Sequence, residues 1–173
     1  VNYENKSVCD LASKTKKQEI HYVKQITRVP WWGNVNDYMR KKLSKYDHLT
    51  NIDNKIDEIT RKLKLSKLLE KNIKDLTPSQ FRSILLAIGI IADTKVLIID
   101  ELEQHLSKKY LNQLSKILYR KANYDGVSII FTTQNKEMFP SGLTSITITL
   151  DSGRISSVRS KGGNKGGNRG RKN

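Results

Sequence analysis

A chain of 173 residues is long enough for one domain with a core of its own. No apolar run reaches the roughly 18 residues a membrane-spanning helix needs, no secretory signal is visible, and the single cysteine, Cys9, excludes an internal disulfide. These features fit a reducing compartment or an organelle matrix. The net charge of +15 favours anionic partners: nucleic acid, an anionic membrane surface or an acidic protein.

His21-Tyr22-Val23 reads as the end of a short strand running into Gln25. Val29-Pro30-Trp31-Trp32-Gly33 is a loop, and Asn34 is placed to cap a helix over Val35–Tyr46 with a basic face. From Thr50 to Glu70 the apolar residues Ile52, Ile56, Ile59, Leu63, Leu65, Leu68 and Leu69 fall at helical spacing, which predicts one or two amphipathic helices. Pro78, after Thr77, suits the first position of an apolar helix that continues through Ser79–Ala92.

Lys95–Asp100 follows as a strand. Its run Val96-Leu97-Ile98-Ile99 is the unbroken apolar type expected of a strand buried on both faces of a parallel sheet. It ends in two adjacent carboxylates, Asp100 and Glu101. Ligands of open α/β sheets bind outside the carboxyl ends of the strands. An Asp delivered there can hold Mg²⁺ in a nucleotide triphosphatase, and a following Glu can act as general base on the attacking water. Lys108–Ala122 reads as an amphipathic helix, Asp125-Gly126 as a turn, and Val127–Phe131 as a second buried strand. Leu143–Leu150 and Arg154–Val158 flank Asp151-Ser152-Gly153-Arg154, a good hairpin turn. The class is α/β with a helical insertion.

The last fifteen residues carry Arg159, Lys161, Lys165, Arg169, Arg171 and Lys172, with no acid. This glycine-rich tail reads as disordered and as a candidate for RNA binding, since arginine–glycine segments track phosphate backbones. The remaining 26 cations against 17 acids still leave the body basic. Trp31 and Trp32 are candidate partner contacts. His21, His48 and His105 show no metal-ligand spacing, and Cys9 has no neighbouring activating group.

Taken together, residues 20 to 158 resemble the ATP-binding cassette (ABC) ATPase family. Gln25, between a strand and a loop, resembles the family's Q-loop glutamine. Asp75-Leu76-Thr77-Pro78-Ser79-Gln80 stands where the signature Leu-Ser-Gly-Gly-Gln would be. Asp100 falls twenty residues beyond Gln80, the usual gap to the Walker B strand. Ile129-Ile130-Phe131-Thr132-Thr133-Gln134 resembles the strand that carries the switch histidine, and Asp151-Ser152-Gly153-Arg154-Ile155 the closing hairpin. The resemblance implies a P-loop NTPase-like fold with a parallel sheet core, a helical signature subdomain and a C-terminal hairpin. The implied divisions are residues 1–30 (sheet remnant with Q-loop), 31–92 (signature subdomain), 93–158 (Walker B and switch core) and 159–173 (tail).

It also implies Mg-ATP as cofactor at a composite site. Asp100 and Gln25 would hold Mg²⁺, Thr77, Ser79 and Gln80 would meet nucleotide, and Glu101 and Gln134 would serve catalysis. The implied partners are a second cassette or a chain carrying the phosphate loop, and a membrane-embedded transporter subunit that Trp31 and Trp32 would face. The sequence departs from the family pattern at Pro78 and Ser79, which replace both signature glycines, and at Gln134, which replaces the histidine and cannot carry its charge change. No Gly-x-x-x-x-Gly-Lys-Ser/Thr occurs, and 24 residues precede Gln25, so the N-terminal third of a cassette is expected to be missing from this chain, which opens on Val1. The tail's Gly162–Gly167 follows no strand and opens no helix, which rules against a phosphate loop there. Two function classes compete: an ATP-binding subunit, split or degenerate, of a transporter-type complex, and a basic nucleic-acid- or ribosome-associated structural subunit.

Overall fold

A computed structural model describes residues 17–31, 33–140 and 142–160, together with the backbone of two short strands, β1 (Asn2–Tyr3) and β2 (Lys6–Ser7), which pair antiparallel. The chain divides into two compact units, Val1–Phe139 and Pro140–Asn173.

The first unit is built on a parallel three-stranded sheet. β4 (Val96–Ile99) lies in the middle, between β3 (Ile20–Val23) and β5 (Ser128–Phe131). The register sets Tyr22, Ile98 and Ile130 side by side on one face, and Val23, Ile99 and Phe131 on the other. Successive residues of a strand alternate between faces, so one face presents His21, Val23, Leu97 and Ile99. Val23, Leu97 and Ile99 are buried in the main core.

Four α-helices of eight or more residues accompany the sheet among the described residues. α1 (Val35–Leu43) begins at Asn34, whose Oδ1 accepts from Asp37 N at 2.8 Å. It ends in Arg40, Lys41 and Lys42, cations suited to the negative end of the helix dipole. α2 (Ile52–Lys62) buries Ile56, Ile59 and Thr60, and the Thr60 hydroxyl donates to the Ile56 carbonyl. α3 (Pro78–Ile91) has Pro78 in its first turn and buries most of its length. α4 (Lys108–Tyr124) begins at Ser107, whose Oγ accepts from Tyr110 N, and buries Leu111, Leu114 and Leu118.

Two sequence expectations change, and of the one or two helices expected between Thr50 and Glu70 one α-helix forms, α2. Lys64 adopts φ +59°, which ends the helix, and the chain continues as a 3-10 turn at Ser66–Leu68. β4 is not buried on both faces: Leu97 and Ile99 are buried, whereas Val96 and Ile98 are only half-buried. β5 is not a buried strand either. Ile130 is 57% exposed and Ser128 is exposed, because the face that carries them lies away from the helical core.

The second unit contains a hairpin of β6 (Ile146–Asp151) and β7 (Arg154–Ser160). Ser152 and Gly153 both have positive φ, the requirement of the tight hairpin turn whose twist matches the strands. Ile146, Ile148 and Leu150 share one face of β6, and all three are exposed. The tail from residue 161 onward lies outside the described residues.

Candidate nucleotide site

The parallel register sends the three strand ends out of one edge of the sheet, with Val23, Ile99 and Phe131 level. Backbone bonds lace that edge together: Asp100 N donates to Val23 O at 3.0 Å, Thr132 N to Ile99 O at 3.0 Å, and Leu102 N to Thr132 O at 3.1 Å. The residues just past the strands therefore have fixed places.

Asp100 occupies the centre of the edge. Its Oδ1 accepts from the Thr132 hydroxyl at 2.8 Å, and its Oδ2 accepts from the Tyr22 hydroxyl at 3.2 Å. Loss of hydration, and then the bond to Asp100 and its negative charge, raise the Tyr22 pKa above the ordinary phenol value, so Tyr22 keeps its proton and remains a donor.

Glu101 follows with φ +45°, a left-handed conformation that costs a non-glycine residue on the order of 1 kcal/mol. Two bonds hold it there. Its N–H donates to Thr132 Oγ1 at 2.8 Å, and its carbonyl accepts from Arg82 at 2.9 Å. The turn points the Glu101 side chain at Gln134, whose Nε2 donates to Glu101 Oε1.

Arg82, from α3, sits beneath the edge at 2% exposure. Its guanidinium donates to the carbonyls of Lys24 (2.7 Å), Asp100 (2.6 Å) and Glu101 (2.9 Å). Burial lowers its pKa, while the nearby charges of Asp100, Glu101 and Glu103 act the other way. One buried cation thus balances a cluster of three carboxylates and ties the exits of two strands to one helix.

Glu103 completes the edge. Its Oε1 accepts from Thr133 Oγ1 (2.7 Å), Gln134 N (2.7 Å) and Asn135 N (3.2 Å).

No family model matches the chain. Over 141 residues it is 27% identical to a Clostridium tetani (strain Massachusetts / E88) protein that bears the name ABC transporter ATP-binding protein; the match spans 78% of this chain and 30% of that relative's length. Among solved structures, it is similar to the dimeric bacterial ABC transporter cassette MJ0796, with a TM-score of 0.78 and 14% identity over 91% of this chain and 71% of that one. The same cassette in a post-hydrolysis state bound to ADP and Pi matches at TM-score 0.76, with 15% identity and the same coverage. The cbiO1 protein of Clostridium perfringens, part of the ABC transporter complex cbiONQ, matches at 0.68, with 17% identity over 92% of this chain and 64% of that one.

The fold is that of an ATP-binding cassette ATPase.

Within this cassette fold the structure gathers Asp100, Glu101 and Gln134 at one sheet edge. Gln25 leaves the same edge two residues after β3, without a hydrogen bond to Asp100 among the described residues. Thr77, Ser79 and Gln80 stand at the start of α3. There Thr77 Oγ1 accepts from Gln80 N at 3.2 Å and Gln80 Oε1 accepts from Thr77 N at 3.0 Å, a reciprocal capping box, while the Ser79 carbonyl accepts from Ser83 Oγ. Trp31 is 80% exposed. Trp32, Lys161, Lys165, Arg169, Arg171 and Lys172 lie outside the described residues, and Arg159 lies on β7 in the second unit.

Four residues at this edge escape a sequence reading: Tyr22, Arg82, Glu103 and Thr132. Each acts on a neighbour that only the folded chain brings close, so no local spacing announces it. The nearest signal is Arg82, a cation in an otherwise apolar stretch of helix.

Among the described residues no group of three or more His, Cys, Asp or Glu is arranged to hold a metal ion. A single Asp with two hydroxyls is nevertheless the oxygen-only setting that suits Mg²⁺, which is usually held by one or two carboxylates with substrate phosphates and water supplying the rest. No helix among the described residues is long and apolar enough to cross a membrane.

Proposed function

We propose that this chain is an ATP-binding cassette subunit of a transporter-type assembly. It would supply the metal- and water-handling side of an ATP site. The observation that carries the reading is the pair Asp100–Glu101 at the exit of the central parallel strand, with the Glu101 carboxylate met by the Gln134 amide. Ligands of α/β sheets collect at that edge.

Asp100, together with Gln25 from two residues beyond β3, is the group that would hold Mg²⁺, whose charge neutralises the phosphate oxygens when it is bound. Glu101 would accept the proton of the attacking water, and Gln134 would orient that water and the Glu101 carboxylate together. Thr77, Ser79 and Gln80, at the start of α3, would face a nucleotide held by a second cassette, where a helix N-terminus favours phosphate. Pro78 removes one backbone donor from that turn. No phosphate-loop motif lies within these 173 residues, so in this reading the phosphate cradle comes from outside them. Exposed Trp31 is proposed to contact the membrane-embedded subunit.

The test uses the assembled complex with Mg-ATP. Glu101→Gln should reduce turnover by about 100-fold or more, because removal of a general base typically forfeits about 10² to 10⁴, while ATP binding is retained. Turnover equal to the unaltered complex would overturn the catalytic role of Glu101.

The +15 charge favours a second reading, in which the chain binds RNA, in part through Arg159 and the basic residues after it. RNA affinity that falls steeply with salt and drops on deletion of residues 159–173 would favour it. Salt-independent affinity would exclude it.

A further inference from the structure

One oxygen of Glu103 does more than fill a turn. Oε1 accepts three donors from one short segment: the Thr133 hydroxyl and the backbone amides of Gln134 and Asn135. Thr133 Oγ1 in turn accepts from Asn135 N at 3.0 Å. Successive backbone amides converging on an anion form a nest, a strong setting for a fixed negative charge. The residue inside that nest, Gln134, is the one whose side chain donates to Glu101. Glu103 therefore grips the backbone of the residue that meets the proposed base. It does so from the turn just after Glu101, where Gln104 N and Leu106 N close hydrogen bonds on Glu101 O and Glu103 O.

Asn135 N is shared between Oε1 and Thr133 Oγ1, and the negative charge of a carboxylate strengthens all three bonds beyond what a neutral acceptor offers. The second carboxylate oxygen, Oε2, is buried without a partner among the described residues, which is costly for a charged group. Stability alone would favour a neutral residue here, so the carboxylate fits a positional task better.

We propose that Glu103 is a positioning residue for ATP hydrolysis: by clamping the turn Thr133–Asn135 it sets the Gln134 amide against the Glu101 carboxylate, and it touches no reactant itself. The role rests on the reading that Glu101 and Gln134 handle the attacking water. Misplacing such a group by about 1 Å typically costs on the order of 100-fold.

Two measurements separate this proposal from the function it rests on. The first needs no turnover: amide hydrogen exchange at Gln134 and Asn135. Glu103→Ala should remove protection at Gln134 and weaken it at Asn135, which keeps its bond to Thr133 Oγ1, and Glu103→Gln, which keeps a carbonyl acceptor, should retain part of it. Unchanged protection in Glu103→Ala overturns the clamp, whether or not the complex hydrolyses ATP. The second is kinetic, in the assembled complex. Glu103→Ala should lower kcat by about 10- to 100-fold with KM unchanged, Glu103→Gln should restore part of the rate, and Glu103→Ala should cost nothing further in a Gln134→Ala background. Losses that multiply in the double variant, or a kcat equal to the unaltered complex, would overturn it.

Discussion

Arg82 shows how one side chain can hold a site without reaching it. Its guanidinium is buried and donates to three backbone carbonyls, those of Lys24, Asp100 and Glu101, while the charge answers a cluster of carboxylates. Hydrogen bonds to a charged group contribute about 1.5–3 kcal/mol each, and the planar fork is suited to meeting several acceptors at once. Arg82→Met keeps the length and the apolar stem but removes every donor. It should destabilise the chain by about 3 kcal/mol, read as a lower denaturation midpoint at unchanged m-value, because the Lys24 and Asp100 carbonyls lose the guanidinium, the Glu101 carbonyl is left with Gln104 N alone, and the carboxylates lose their counter-charge. Arg82→Lys should recover only part of that, since an ammonium cannot reproduce the fork. A midpoint for Arg82→Met within about 0.5 kcal/mol of the unaltered chain would mean that water replaces the guanidinium without cost.

At the scale of elements, α3 packs against the sheet as well as against α1 and α2, and at Gly89 it approaches β3 and β4 closely. A Cβ there would meet Val23 Cγ2 at 3.0 Å, Leu97 Cδ1 at 3.1 Å and His21 Cδ2 at 3.2 Å. Alanine in mid-helix gains about 1 kcal/mol of propensity over glycine, whereas overpacking a tight core costs about 1–3 kcal/mol. The methyl ends can give way but the imidazole sits in a bonded pair, so Gly89→Ala should be net destabilising by about 1 kcal/mol. A thermal midpoint that rises in the variant would refute the tight approach of α3 to β3 and β4. The existence of these elements was legible in the sequence. Pro78 after Thr77 marked the start of α3, Asn34 marked α1, and Val96–Ile99 marked the central strand, because capping and apolar runs are local signals. The depth of burial was not legible. Four apolar residues in a row predict two covered faces, but whether a second layer covers Ile98 and Ile130 depends on residues far from them in sequence. The candidate site divides in the same way. Asp100 and Glu101 stand next to each other in the chain and announce themselves, whereas Thr132 comes to that pair only through the parallel register, Arg82 only through the packing of α3, and Glu103, two residues on, shows its role only once β5 brings Thr133–Asn135 alongside.

For the molecule as a whole, His21 gives a direct handle on how the first unit holds together under acid. It lies on β3, its Nδ1 is hydrogen-bonded to the Tyr46 hydroxyl beyond the end of α1, and it packs beside Gly89 of α3, so one imidazole joins three elements. Nearby, His48 is bonded to the Ala92 carbonyl and stands edge-on to Tyr46. Burial, and then the charge of Lys42, push the His21 pKa down from 6.5 to about 4. The folded form thus binds this proton less readily than the unfolded chain does. The contribution of neutral His21 is complete above about pH 6.5 and is lost progressively as the pH falls from 6.5 towards 4. At one pKa unit per 1.36 kcal/mol, the loss should approach about 3 kcal/mol below pH 4 and be about 2 kcal/mol at pH 5. Carboxylates also titrate in this range, so the comparison that isolates His21 is the difference between the unaltered chain and His21→Gln, which cannot ionise. The stability gap between the two, measured by urea unfolding at pH 7 and pH 5, should shift by about 2 kcal/mol in favour of the variant at the lower pH. A gap independent of pH would mean that the imidazole takes up its proton in place, with the Tyr46 hydroxyl turning to accept from it and Lys42 swinging away into solvent.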